Sequence, residues 1–119
     1  MTGKEYINSL KEVNFDTEMI EKVSDIYSGD FPDIVKKLIS NAKEPVFLDN
    51  DYRIFSFDEI LDAETDLHVS FSDKGILPLV DCGDNDFIVY QYMEKLWSKF
   101  NITDEIVFSK KNSFDEFFK

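Results

Sequence analysis

"GILPLVDCGDNDFIVYQ", residues 75–91, is the stretch on which the fold turns. Two apolar runs flank an acidic centre. Asp and Asn favour turns because their short side chains bond the local backbone, so Asp81 to Asp86 reads as a turn between two strands. "FIVYQY", residues 87–92, is apolar on both faces for most of its length, the pattern of a central strand. "GILPLV", residues 75–80, reads as its neighbour. Pro78 has no amide to give to a ladder, which argues for an edge strand or a strand end. An exposed edge there would permit a weak homodimer, and the chain is otherwise expected to be monomeric.

The acidic triplet occurs twice. "LDNDYRIF", residues 48–55, carries the first copy between "VFL" and "YRIF", which reads as a short hairpin. "SFDEIL", residues 56–61, has the spacing of a capping box and opens a short helix. "SFDEFF", residues 113–118, repeats the box and predicts a C-terminal helix. "LHVSF" (67–71), "LWSKFNI" (96–102) and "DEIVFS" (104–109) read as extended, with His68 a half-buried strand residue.

The first third reads as helices. Thr2 to Glu5 is another capping box, followed by Tyr6, Ile7, Leu10 and Val13 at helical intervals. A second helix starts at Asp16, carries Met19, Ile20, Val23, Ile26 and Tyr27, and can end at Gly29. "DFPDIVKKLI" opens a third, with Pro32 in the first turn, where a missing amide costs nothing. The expected fold is α+β: N-terminal helices packed on a mainly antiparallel sheet, with a short mid-chain helix and a C-terminal helix. One domain spans residues 1–119.

Composition narrows the function. With 119 residues, 43% hydrophobic and 15% aromatic, the chain can bury one real core. Its 13 bases stand against 25 acids, and −9 of the net −12 falls between Asp49 and Asp86. Such a field repels nucleic acid and anionic lipid and attracts basic proteins. Acidic surfaces also simply keep small proteins soluble. The N-terminus has no basic start or long apolar run, so no signal peptide is expected, and no stretch approaches the roughly 18 apolar residues of a membrane span. A single cysteine, Cys82, rules out an intramolecular disulfide and fits a reducing, cytoplasmic location.

Catalytic and metal-binding patterns are scarce. An EF-hand loop needs glycine at its sixth position and glutamate at its twelfth. Counted from Asp81 these are Asp86 and Tyr92, and from Asp49 the sixth is Ile54. A paired-carboxylate site needs one buried acid, and the triplets sit in polar loops. His68 and Cys82 would have to serve any nucleophile scheme, but acids around Cys82 raise a thiol pKa. No phosphate-cradling glycine loop occurs. No cofactor or metal is expected, and the chain reads as a binding protein and not an enzyme.

Four segments resemble the SUKH superfamily, which includes the yeast cell-wall assembly regulator and bacterial immunity proteins. "FPDIVKKLI" is similar to the family's proline-started helix, "SFDEIL" to its mid-chain helix and "SFDEFF" to its C-terminal helix. "GILPLVDCGDNDFIVYQ" looks like its most distinctive element, a strand, an acidic turn and a strand. Asn85 stands where members often have glycine, and residues 1–29 are a divergent helical part. The resemblance implies a non-catalytic cytoplasmic protein of bacterial type that neutralises a cognate toxin, a basic nuclease being the expected partner. Asp49, Asp51, Asp81, Asp84 and Asp86 would line or rim the contact. The alternative implied is a regulatory scaffold of the yeast type, which binds host proteins. A small hydrolase or metal protein is the remaining reading.

Overall fold

The computed structural model describes all 119 residues. Helix α1 (Gly3–Ser9) runs into a 3-10 turn at Leu10–Glu12 and is followed by α2 (Thr17–Ile26) and α3 (Asp33–Ser40). Strands β1 (Val46–Phe47) and β2 (Arg53–Ile54) precede α4 (Phe57–Leu67). Four longer strands come next: β3 (Ile76–Gly83), β4 (Asp86–Gln91), β5 (Leu96–Asn101) and β6 (Ile106–Lys111). A 3-10 helix, Phe114–Phe118, completes an α+β fold. No helix is long and apolar enough to cross a membrane.

Local signals place the helix starts. The Thr2 and Ser56 hydroxyls accept from the N–H groups of Glu5 and Glu59, and both glutamates return the bond. The Asp16 carboxylate accepts from the Met19 N–H and caps α2. Pro32 stands at the N-cap of α3, one position before the expected first turn.

All six strands pair antiparallel in chain order, so the sheet is a simple meander. β4 is buried from Phe87 to Gln91, as expected of a strand covered on both faces. Cross-strand partners share a face. One face carries Arg53, Asp81, Phe87 and Phe100; the other carries Ile54, Val80, Ile88 and Lys99. α4 lies on the first face, where Arg53 pairs with Glu59 and the rings of Phe55 and Phe87 meet edge to face at 5.9 Å. The C-terminal 3-10 helix lies on the second, with Phe114 packed on Trp97 at 4.8 Å. One continuous core of 28 buried residues joins them, and it includes Tyr6, Leu10, Val23 and Tyr27 from the divergent N-terminal part.

Several expectations need correction. "LHVSF" forms no strand: α4 runs on to Leu67, with Ile60 and Ala63 buried and Leu67 partly buried at helical spacing, and residues 68–71 form an irregular turn. His68 is exposed and ends that helix in the left-handed conformation, φ 56°. "SFDEFF" keeps its capping box but forms a 3-10 helix. Gly29 does not cap α2, which ends at Ile26; its role is space, since a Cβ there would stand 2.5 Å from the Tyr92 ring. Pro78 lies in the third of six strands. β2 reaches only Val80 and Asp81, so Pro78 has a strand partner on one side alone, Val89 of β4. Nor is "GILPLV" an exposed edge for a homodimer, because every residue from Ile76 to Val80 is buried.

Candidate functional site

In a meander, alternate turns fall at the same end of the sheet. The β1–β2, β3–β4 and β5–β6 turns therefore share one end, and the first two are the acidic triplets. Both triplets are turns by mechanism. In the first, the Tyr52 N–H donates to the Asn50 side chain at 3.1 Å and the Leu48 N–H donates to the Tyr52 carbonyl at 2.8 Å. In the second, Asp84 and Asn85 both take positive φ, 53° and 66°, as a two-residue hairpin turn requires. A bulge at Cys82 and Gly83, with Gly83 at φ 85°, feeds into that turn. The Ile102 N–H donates to the Asn85 carbonyl at 2.9 Å and ties the third turn to the second.

The five candidate carboxylates share this end but not one environment. Asp51 and Asp84 are exposed, and neither takes part in an ion pair. Asp49 is exposed but pairs with the N-terminal ammonium at 2.7 Å. Asp81 is half-buried: it pairs with Arg53 at 3.3 Å and accepts from the Gly83 N–H at 2.9 Å. Asp86 is half-buried and accepts from the Asn101 side chain at 2.8 Å. Two of the five thus present unpaired charge, and three have theirs partly engaged within the fold.

Other acids join them that the sequence did not single out. Asp104 and Glu105 occupy the third turn, with Glu105 paired to Lys74 at 3.2 Å. Turn parity would have found them once the meander was known. More extensive is α4, which carries Asp58, Glu59, Asp62, Glu64 and Asp66 and no base. Glu59 binds Arg53, and Glu64 accepts from the Ser72 N–H and hydroxyl at 3.0 and 2.9 Å. Asp58, Asp62 and Asp66 are set outward at intervals of four. Helical spacing makes that stripe legible, but only when the helix runs on to Leu67.

Arg53 links the helix to the hairpin end. It sits between Glu59 and Asp81, and a cavity of about 60 Å³ opens beside them, lined also by Asp66, Phe55 and Phe87. Burial pulls the Arg53 guanidinium pKa down, but Glu59 and Asp81 outweigh it and hold it above its usual value. Burial pushes the Glu59 carboxyl up, while the Ser56 N–H and Arg53 outweigh that and hold it low.

Elsewhere the groups that catalysis would need are set apart. Burial, with a smaller push from Asp81, drives the Cys82 thiol up to about 12 despite Lys99 nearby. A thiol so shifted is a poor nucleophile. His68 is exposed at the end of α4 and takes no part in a side-chain hydrogen bond with Cys82. No three carboxylate, thiol or imidazole groups stand close enough together to hold a metal ion. What the arrangement can do is present exposed carboxylates in two places, Asp58, Asp62 and Asp66 on the outer stripe of α4 and Asp51 and Asp84 on the hairpin turns.

No family model, curated protein or solved structure matches the chain.

Proposed function

We propose that this chain is a non-catalytic immunity-type protein of the SUKH kind, which acts in the cytoplasm by binding a basic toxin and blocking its nucleic-acid-gripping face. The observation that carries the reading is the outer face of α4. Asp58, Asp62 and Asp66 repel one another at four-residue spacing, and Asp66 stands at the negative end of the helix dipole with no base in the last turn. Both features cost helix stability, by tenths of a kcal/mol per like-charge pair. A surface held against that cost is best explained by what it binds.

A nuclease must be basic where it holds phosphate. An acidic inhibitor that mimics the backbone associates fast and covers the site. Asp51 and Asp84 add exposed charge on the turns, and Asp49, Asp81 and Asp86 form a partly neutralised rim there. The sequence resemblance points the same way through its strand, acidic turn and strand.

The test is affinity capture of the tagged full chain from its own cells, with mass spectrometry of the captured proteins. One dominant partner with a basic domain, whose toxicity the chain suppresses, is the expected result. A spread of unrelated host proteins would replace this reading with the regulatory scaffold.

A further inference from the structure

The sheet face opposite α4 carries the largest groove in the molecule, about 680 Å³, between α1, the start of α3 and the C-terminal 3-10 helix. Ile7, Ile34 and Phe114 form its walls, and Tyr90 and Trp97 its floor. The floor residues are only 4% and 2% exposed. Yet the Tyr90 hydroxyl and the Trp97 indole N–H have no protein partner, and neither is sealed from solvent. Water can therefore satisfy both, and an acceptor that enters the groove can take the place of that water without leaving either donor unpaired. Two donors lining one apolar groove thus suit a ligand that carries an acceptor beside an apolar group. Burial, and then the charge of Asp30, holds the Tyr90 phenol above its usual pKa, so it remains a donor.

The rim supplies charge of the matching sign. Lys11 and Lys95 border the groove. A second cavity, about 290 Å³, continues it through the shared residues Ile7, Lys11 and Asp115 and adds Lys4 and Lys119. Apart from Asp30 near Tyr90, four lysines thus face one lining carboxylate on a chain of net charge −12. That carboxylate, Asp115, is occupied locally by Ser113, which holds its pKa low.

We propose that this groove is a second binding site, taking an extended segment of a partner protein that carries Asp or Glu beside an aromatic or aliphatic side chain. The apolar side chain fills the space between Ile7, Ile34 and Phe114. The carboxylate accepts from the Tyr90 hydroxyl or the Trp97 N–H and pairs with Lys11 or Lys95. Lys4 and Lys119 line the adjoining cavity, so the basic rim extends beyond the groove, which suits a chain segment better than a compact molecule. The site lies on the face opposite the acidic surface and has the opposite charge preference, so it stands whether or not that surface binds a toxin.

The chain has one tryptophan, so its indole N–H gives a single resonance that reports on the groove floor. A random twelve-residue peptide display library is panned against the intact protein and against the double variant Lys11→Glu, Lys95→Glu. The best peptide is then titrated into both while the Trp97 indole signal is followed. Enriched peptides with acids beside apolar residues are expected, with a saturable Trp97 shift and affinity about tenfold weaker in the variant, as the loss of two half-exposed ion pairs implies. Enrichment of basic peptides, equal binding to both proteins, shifts confined to the Asp51 and Asp84 turns, or no enrichment at all would each overturn the proposal. So would saturation of the same signal by phenylacetate as strongly as by the peptide, which would make the groove a small-molecule site.

Discussion

α4 and the C-terminal 3-10 helix start from the same four residues, "SFDE", cover opposite faces of one sheet and present opposite chemistry. After the first copy, Ile60, Ala63 and Leu67 continue a buried stripe, so an eleven-residue α-helix lies on the sheet and turns its aspartates outward. After the second copy come Phe117 and Phe118. Phe118 meets Tyr52 edge to face, and Phe114, inside the copy, packs tilted on Trp97, so a tight five-residue helix is pinned by rings. The same cap thus starts two different structures. A capping box satisfies the first free amides, but the residues beyond the box decide how long the helix runs and which side it shows the sheet. The α4 side commits its polar groups to an exposed negative stripe. The C-terminal side leaves donors facing an apolar, lysine-rimmed groove.

The two sides of the sheet should respond most differently at Phe114. Phe114→Ala removes the ring that holds the C-terminal helix to Trp97 and should cost about 3–4 kcal/mol in urea unfolding, while leaving the α4 side intact. A loss below about 1 kcal/mol would show that the two sides are not held by different means. Cys82 provides the next test. With its thiol pushed from 9.0 up to about 12, native protein at pH 8 holds roughly a thousandfold less thiolate than unfolded protein and should react with a thiol reagent slower by about that factor. Equal rates would mean that this part of β3 is open to solvent.

On the α4 side the key test is Arg53→Met. It leaves Glu59 and Asp81 without their cation, and with the site about a quarter exposed the cost at pH 7 should be about 1–2 kcal/mol. The pH dependence has a definite sign. The folded pKa of Glu59 is depressed, so its contribution is complete above the usual value of 4.5 and is lost as pH falls through the lower folded value. The gap between wild type and variant should therefore narrow as pH drops below about 4. Denaturant melts at pH 7 and pH 3 measure it, and a constant gap would remove Arg53 as the cause. The smallest stability effect is expected from Asp51→Asn with Asp84→Asn. These exposed, unpaired acids should change stability by less than about 0.5 kcal/mol, yet slow association with a basic partner and flatten its salt dependence. Unchanged stopped-flow kinetics would take the turns out of the interface and leave α4 as the candidate surface.

Much of this molecule is legible residue by residue. The caps at Thr2, Asp16 and Ser56, the turn chemistry of both acidic triplets and the doubly buried strand at Phe87 to Gln91 all stand where the sequence puts them. Each depends on a side chain acting on backbone within about four positions, or on a period of two along one strand. The failures share a cause as well. Pro78, His68 and "LHVSF" mislead when read from their immediate neighbours, because their places depend on the short reach of β2 and the long run of α4. The candidate site divides in the same way. That acids crowd residues 49–86 is a property of the sequence alone. Which of them remain unpaired was decided by the tertiary structure, because Arg53 finds Asp81 at a separation of 28 residues and the N-terminal ammonium finds Asp49 at 48. The groove over Tyr90 and Trp97 was likewise out of reach of the sequence. Its walls come from separate elements, and no local pattern of residues records that they meet.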